Sequence, residues 1–212
     1  NYMYALLQEG GIDAYPVLIR AGRDAPPIRS DFPSHQFNHV VLAVPVAGDT
    51  LWLENTDQTT PFGHVSAFIE DRHGLLVSDA GGQLVRTPRS TAADNAQRRQ
   101  ATVQFDAEGN ARVAVHTAYT GNQQDRVRHA LAEASTRERQ KWVRDQIDMP
   151  NFTLRAADFE SVDQRQPTIE LPLVLDAPRY GSQMGKRLFF QPNIMQRWTH
   201  VPPEEDAPRT VS

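Results

Sequence analysis

"FNHVVLAVPVAGDTLWLENTD", residues 37–57, decides how the first half of the chain is read. Apolar residues run from Val40 to Val46, Ala47-Gly48-Asp49 interrupts them, and Leu51, Trp52 and Leu53 follow. Two strands around a turn account for this pattern. His39 opens the first strand, and two carboxylates, Glu54 and Asp57, close the second. Turn length decides which carboxylate the histidine can meet. A two-residue turn pairs Val46 with Asp49 and sets Glu54 opposite Val41. Glu54 then lies diagonally from His39 on the same face, about 7–8 Å away. A three-residue turn instead sets His39 opposite Asp57 and sends Glu54 to the other face, because side chains alternate with a period of two. Ala47-Gly48 is compatible with the shorter turn, which favours Glu54 over Asp57. A carboxylate bonded to one ring nitrogen fixes the tautomer and steadies the imidazolium. The other nitrogen is then available for acid–base catalysis. In the two-residue register Trp52 shares the face of His39 and Glu54, where it can shield the pair and contact a substrate.

Working outward, Tyr2, Ala5, Leu6 and Leu7 recur at helical spacing, and Gly10 or Gly11 ends that helix. "DAYPVLIR" reads as a strand, with Pro16 placing it at a sheet edge or at the strand's start. "GLLVSDAGGQLVRTP" reads as two short strands around Gly81-Gly82. Residues 89–100 are polar and aperiodic and are expected to be a linker. A hairpin follows, with Val103 and Phe105 alternating against Val113 and Val115 around Glu108-Gly109-Asn110. Two helices come next; Asn122 is a candidate cap for the first, and Ser135 with Glu138 forms a capping box for the second. "PNFTLRAADFES", "TIELPLVLDAPRY" and "KRLFFQPNIM" read as strands, with one ring of Phe189-Phe190 on each sheet face. The tail, residues 201–212, reads as a loop or a truncated strand. The expectation is an α+β chain with antiparallel sheets, divided into residues 1–88, the linker and a β-rich module with a helical pair over 101–212.

Composition narrows the function. The chain has 212 residues, 39% hydrophobic and 23% charged, with net charge -4. It has the apolar content for a core, and no basic run suits a nucleic-acid partner. It contains no cysteine, which excludes disulfides, thiolate metal sites and a cysteine nucleophile within these residues. No apolar run reaches the ~18 residues a transmembrane helix needs. His35 and His39 have the spacing of a helical metal pair, but the strand pattern excludes that geometry, and no metal or cofactor is expected. Asp71, Arg72 and His73 before Gly74 read as a solvated turn.

Several stretches together resemble the bacterial transglutaminase-like superfamily, in its multidomain type with a DUF3857 domain ahead of the core. They are "YMYALLQEGGIDAYPVLIR", "FPSHQFNHVVLAVP", "LWLENTDQTTPFG" and "DRHGLLVSDAGGQLVRTP". The resemblance covers about residues 1–88. Residues 101–212 are similar, less sharply, to the β-rich C-terminal module of those proteins. It implies the C-terminal part of a papain-like core, with His39 as the catalytic histidine. Glu54 matches the orienting acid, where the wider superfamily usually has Asp. It also implies a cysteine nucleophile upstream of Asn1, in a "DCK" context, so that these residues alone are inactive. The implied chemistry is Cys–His–acid acyl transfer on a peptide or protein substrate, as protease, amidase or transglutaminase. The implied setting is the periplasm or surface of a bacterium, with upstream domains of the same parent chain as partners. The competing expectation is a non-catalytic module of the envelope that binds protein or carbohydrate.

Overall fold

The computed structural model describes residues 2–196, apart from 23, 33 and 165; the tail read as a loop or truncated strand lies outside the described residues. The chain is α+β, with antiparallel sheets and, among the described residues, four helices. Helix α1 spans Tyr2–Glu9. Gly11 ends it at φ 69°, with the Ile12 N–H donating to Leu7 O and the Gly11 N–H to Gln8 O. Those two bonds satisfy carbonyls that the last turn leaves open, and the left-handed φ suits glycine.

The first sheet has the order β3-β2-β1-β4-β5. Its strands are β1 (Tyr15–Ile19), β2 (His39–Val46), β3 (Asp49–Leu53), β4 (His73–Ser78) and β5 (Gly81–Arg86). The β2–β3 turn has two residues: Val46 pairs with Asp49, Ala43 with Trp52 and Leu42 with Leu53. Ala47 and Gly48 have φ of 42° and 90°, the backbone a tight right-twisted hairpin requires. Pro16 marks a strand start and not an edge. The strand that holds it is central, and pairing with β4 begins only at Val17. The β4–β5 turn lies at Asp79-Ala80, with Ser78 paired to Gly81, so Gly81-Gly82 sit inside β5 and not at the turn.

Parity divides this sheet into two faces. Leu42, Val44, Leu51 and Leu53 meet Tyr4 and Leu7 of α1. Val17, Ile19, Val41, Ala43 and Trp52 pack with Ile69 and Phe68 on the opposite face.

The second sheet has the order β6-β7-β9-β8. Its strands are β6 (Gln97–Phe105), β7 (Ala111–Thr120), β8 (Thr153–Ala157) and β9 (Thr168–Ala177). Alternate residues of β7 and β9, from Val113 to Tyr119 and from Ile169 to Leu175, point into one core. Helices α2 (Asn122–Leu131) and α3 (Thr136–Asp145) add Val127, Leu131 and Val143 to that core. The capping box of Ser135 and Glu138 is present, but α2 is capped by Gly121 with no side-chain bond, so Asn122 is not its cap.

The expected linker is shorter than 89–100. β6 takes up residues from Gln97, because an edge strand with both faces half-exposed accepts Gln and Arg. Residues before it are pinned: the Thr120 hydroxyl donates to Asp94 O and the Asn122 N–H to the Asn95 side chain. A short helix α4 (Glu160–Asp163) follows β8, where only strand was expected. Ser182–Met184 (β10) and Arg187–Phe189 (β11) form a separate hairpin, and both Phe189 and Phe190 are exposed. The expected strand over 186–195 is cut short: β11 ends at Phe189, ahead of Pro192, which cannot donate to a ladder.

Arg128 of α2 is 2% exposed and donates to Gln124 Oε1 and to the carbonyls of Val162, Gln164 and Gln166 at 2.5–2.9 Å. Replacing it by Met leaves three carbonyls without their donor. Arg128→Met is expected to lower stability by about 3–5 kcal/mol in urea unfolding. At the β2–β3 turn, Ala47 holds a left-handed φ that Asn adopts more readily. Ala47→Asn is expected to raise stability by up to about 1 kcal/mol in the same measurement.

Candidate functional site

His39 is the first residue of β2, and Glu54 follows the last residue of β3. The two-residue turn puts both on one face, and their side chains meet: His39 Nε2 lies 2.6 Å from Glu54 Oε2. The Glu54 side chain is 0% exposed and that of His39 15%. A carboxylate so far out of water needs its lone pairs filled. Glu54 Oε1 accepts from the Thr56 N–H at 2.8 Å and the Thr56 hydroxyl at 2.6 Å. An ionised carboxylate only accepts, so Nε2 carries the hydrogen. Nδ1 then holds the basic lone pair in the neutral ring, and it has no hydrogen-bond partner among the described residues. The ring is also held edge-on by Phe68, centroids 5.4 Å apart. The arrangement fixes an imidazole in position and tautomer, which is what a general base and acid requires.

Trp52 is buried in the apolar cluster with Val41, Ala43 and Ile69 on the same sheet face. It also lines a cleft between the two halves of the chain, with His64 and Arg89. Asp57 is elsewhere: its carboxylate accepts from the Thr59 N–H and hydroxyl at 2.8 Å and from the Thr60 hydroxyl at 2.8 Å. His129 Nε2 stands 3.3 Å from it. The structure therefore brings His39 and Glu54 together and leaves Asp57 organising the loop beyond them.

Sequence reasoning missed two parts of this site. Thr56 had a signal, since a threonine two residues after an acid commonly turns back to bond it. Phe68 had none, because it reaches His39 from an irregular loop 29 positions further along the chain. A second histidine–carboxylate contact, His64 Nε2 to Asp125 at 3.0 Å, joins the loop after β3 to α2. Asp71, Arg72 and His73 are also more than a solvated turn. Arg72 donates to Ala25 O at 2.8 Å and to Gly22 O, and Asp71 accepts from Arg86 at 2.7 Å. Among the described residues no cluster of three or more potential ligands could hold a metal ion. No helix among them is long and apolar enough to cross a membrane.

No family model, curated protein or solved structure matches this chain.

Burial pushes the Asp57 carboxyl up, but the Thr59 and Thr60 bonds and His129 outweigh it and hold the group below the usual carboxylate value. A depressed carboxylate stabilises the fold above its unfolded value, about pH 4. That contribution is lost as pH falls through the depressed value. Asp57→Ala is thus expected to be less stable than the parent at pH 7, with the difference shrinking as urea titrations move toward about pH 3.

Proposed function

We propose that His39 and Glu54 are the acid–base pair of a transglutaminase-like acyl-transfer site, completed by a cysteine thiol outside these 212 residues. The observation that carries this reading is the 2.6 Å contact between His39 Nε2 and a Glu54 side chain with no exposure, itself fixed by Thr56. The resemblance of residues 1–88 to the transglutaminase-like core supplies the reaction class. In this reading the thiolate attacks an amide carbonyl, and His39 gives its proton to the leaving amine. Water or a second amine then releases the acyl group with His39 as base, so hydrolysis and transfer differ only in the acceptor. Glu54 keeps Nδ1 turned outward and stabilises the imidazolium. The substrate class is peptide or protein, and the bacterial envelope is the proposed setting.

The test is turnover by the protein extended through the residues that precede Asn1 in its gene. Ammonia release from a glutamine peptide, amine incorporation and peptide cleavage are measured together. His39→Ala is expected to reduce kcat/KM by ~10²–10⁴-fold, and Glu54→Gln to reduce it with little change in KM. Residues 1–212 alone are expected to show no turnover. Activity indifferent to His39→Ala, or activity of the 212-residue chain by itself, overturns the proposal.

A further inference from the structure

A cavity of about 550 Å³ lies beside this site. Its walls carry four arginines, Arg20, Arg72, Arg86 and Arg89, against two carboxylates, Glu70 and Asp71, a formal +2 in a chain whose net charge is -4. The local field is therefore opposite in sign to that of the whole molecule.

The two carboxylates are already engaged. Glu70 accepts from the Ser90 N–H and hydroxyl and from Asn122 at 3.1 Å. Asp71 is held by Arg86 Nε at 2.7 Å, with Arg89 Nε 3.9 Å away. Among the described residues the outer nitrogens of Arg86 and Arg89 have no carboxylate partner. Arg20 is half-buried and has no hydrogen-bond or ion-pair partner among the described residues. Arg72 is spent on structure, tying the wall to Gly22 O and Ala25 O. The wall is also fixed by Thr87, whose hydroxyl donates to Ile69 O at 2.6 Å. Three guanidinium groups with open donors on a fixed wall are suited to a planar oxyanion, which two parallel N–H bonds can grip.

Position relates the cavity to the acid–base pair. Arg20 follows Ile19, which is paired with His39. Ala67 lines the cavity and precedes Phe68, the ring that meets His39. We infer that this cavity binds carboxylate groups of an acidic peptide and so selects acidic substrates for the His39–Glu54 site. The substrate role rests on the acyl-transfer reading; the binding itself does not. A carboxylate is planar like the guanidinium that grips it, and inorganic phosphate is the competing anion that the titration tests.

The purified 212-residue chain is titrated with a glutamate-rich peptide, the matching glutamine peptide and inorganic phosphate, by calorimetry at two salt concentrations. The glutamate peptide is expected to bind, more weakly at higher salt, and the glutamine peptide is not. Arg20→Ala is expected to weaken binding ~10-fold or more, Arg20→Lys less, and the exposed Arg137→Ala not at all. Arg89→Ala, at a side chain 78% exposed, provides a second variant that leaves the core untouched. Equal binding of the two peptides, binding unaffected by both Arg20→Ala and Arg89→Ala, or binding of phosphate alone overturns the inference. His39→Ala, made in the protein extended through the residues that precede Asn1, where turnover is measurable, separates it from the acyl-transfer reading. Peptide binding intact in that variant while its turnover equals the parent's sinks only the catalytic reading. Loss of turnover in that variant, with no peptide binding by the parent chain, sinks only the cavity.

Discussion

The turn at Ala47-Gly48 is the constraint on which this site depends. A hairpin has no intermediate register: adding one residue to the turn moves every later side chain of β3 to the opposite face. Here that would take Trp52 out of the cluster with Val41 and Ala43, and drive its indole against α1 on a face already filled by Leu42, Val44, Tyr4 and Leu7. It would also carry Glu54 away from His39. The hydrophobic pattern and the polar pair thus demand the same register. The left-handed φ of Ala47, unusual for a residue with a Cβ, is tolerated because the burial of two faces enforces it.

The two sheets share their boundary through polar contacts. His64 meets Asp125 and Asp57 meets His129, so the loop after β3 is bonded to α2 at two points. Glu70 joins the same helix start through Asn122 while also holding Ser90. Segment 90–96 is threaded between these anchors. Its polarity, which reads as solvent exposure in sequence, is the chemistry of a bonded seam: Asn95 and Asp94 supply acceptors to Asn122 and Thr120.

Local signals explain what was legible beforehand. Alternation gave β2, β3, β7 and β9, glycine in the left-handed region ended α1, and Ser135 with Glu138 announced α3, because each depends on residues within a few positions. The His39–Glu54 face was legible for the same reason, since a single turn separates the two. What stayed hidden depends on contacts across long stretches of chain. The β4–β5 turn falls on Asp79-Ala80, and Gly82 sits inside β5, where a Cβ would meet Leu75, a packing fact that two adjacent glycines do not reveal. The arginine cavity joins Arg20 to Arg86 and Arg89 across more than 60 positions, and Phe68 reaches His39 from a loop with no periodicity.

The chemistry of positions 39 and 54 is not what fold stability alone would select. They end an apolar face that already buries Val17, Ile19, Val41, Ala43 and Ile69. Removing a carboxylate from water is expensive, and its bonds to Thr56 and His39 chiefly offset that penalty. Buried polar pairs exchanged for apolar residues of similar volume are often neutral or stabilising. A leucine and a phenylalanine here would extend the cluster without leaving any group to satisfy. What the polar pair supplies and an apolar pair does not is a ring fixed in one tautomer, with Nδ1 turned away from its partner. Held also by Phe68, that ring is organised before any substrate arrives, and such preorganisation is the property a proton-transfer site needs and a core does not.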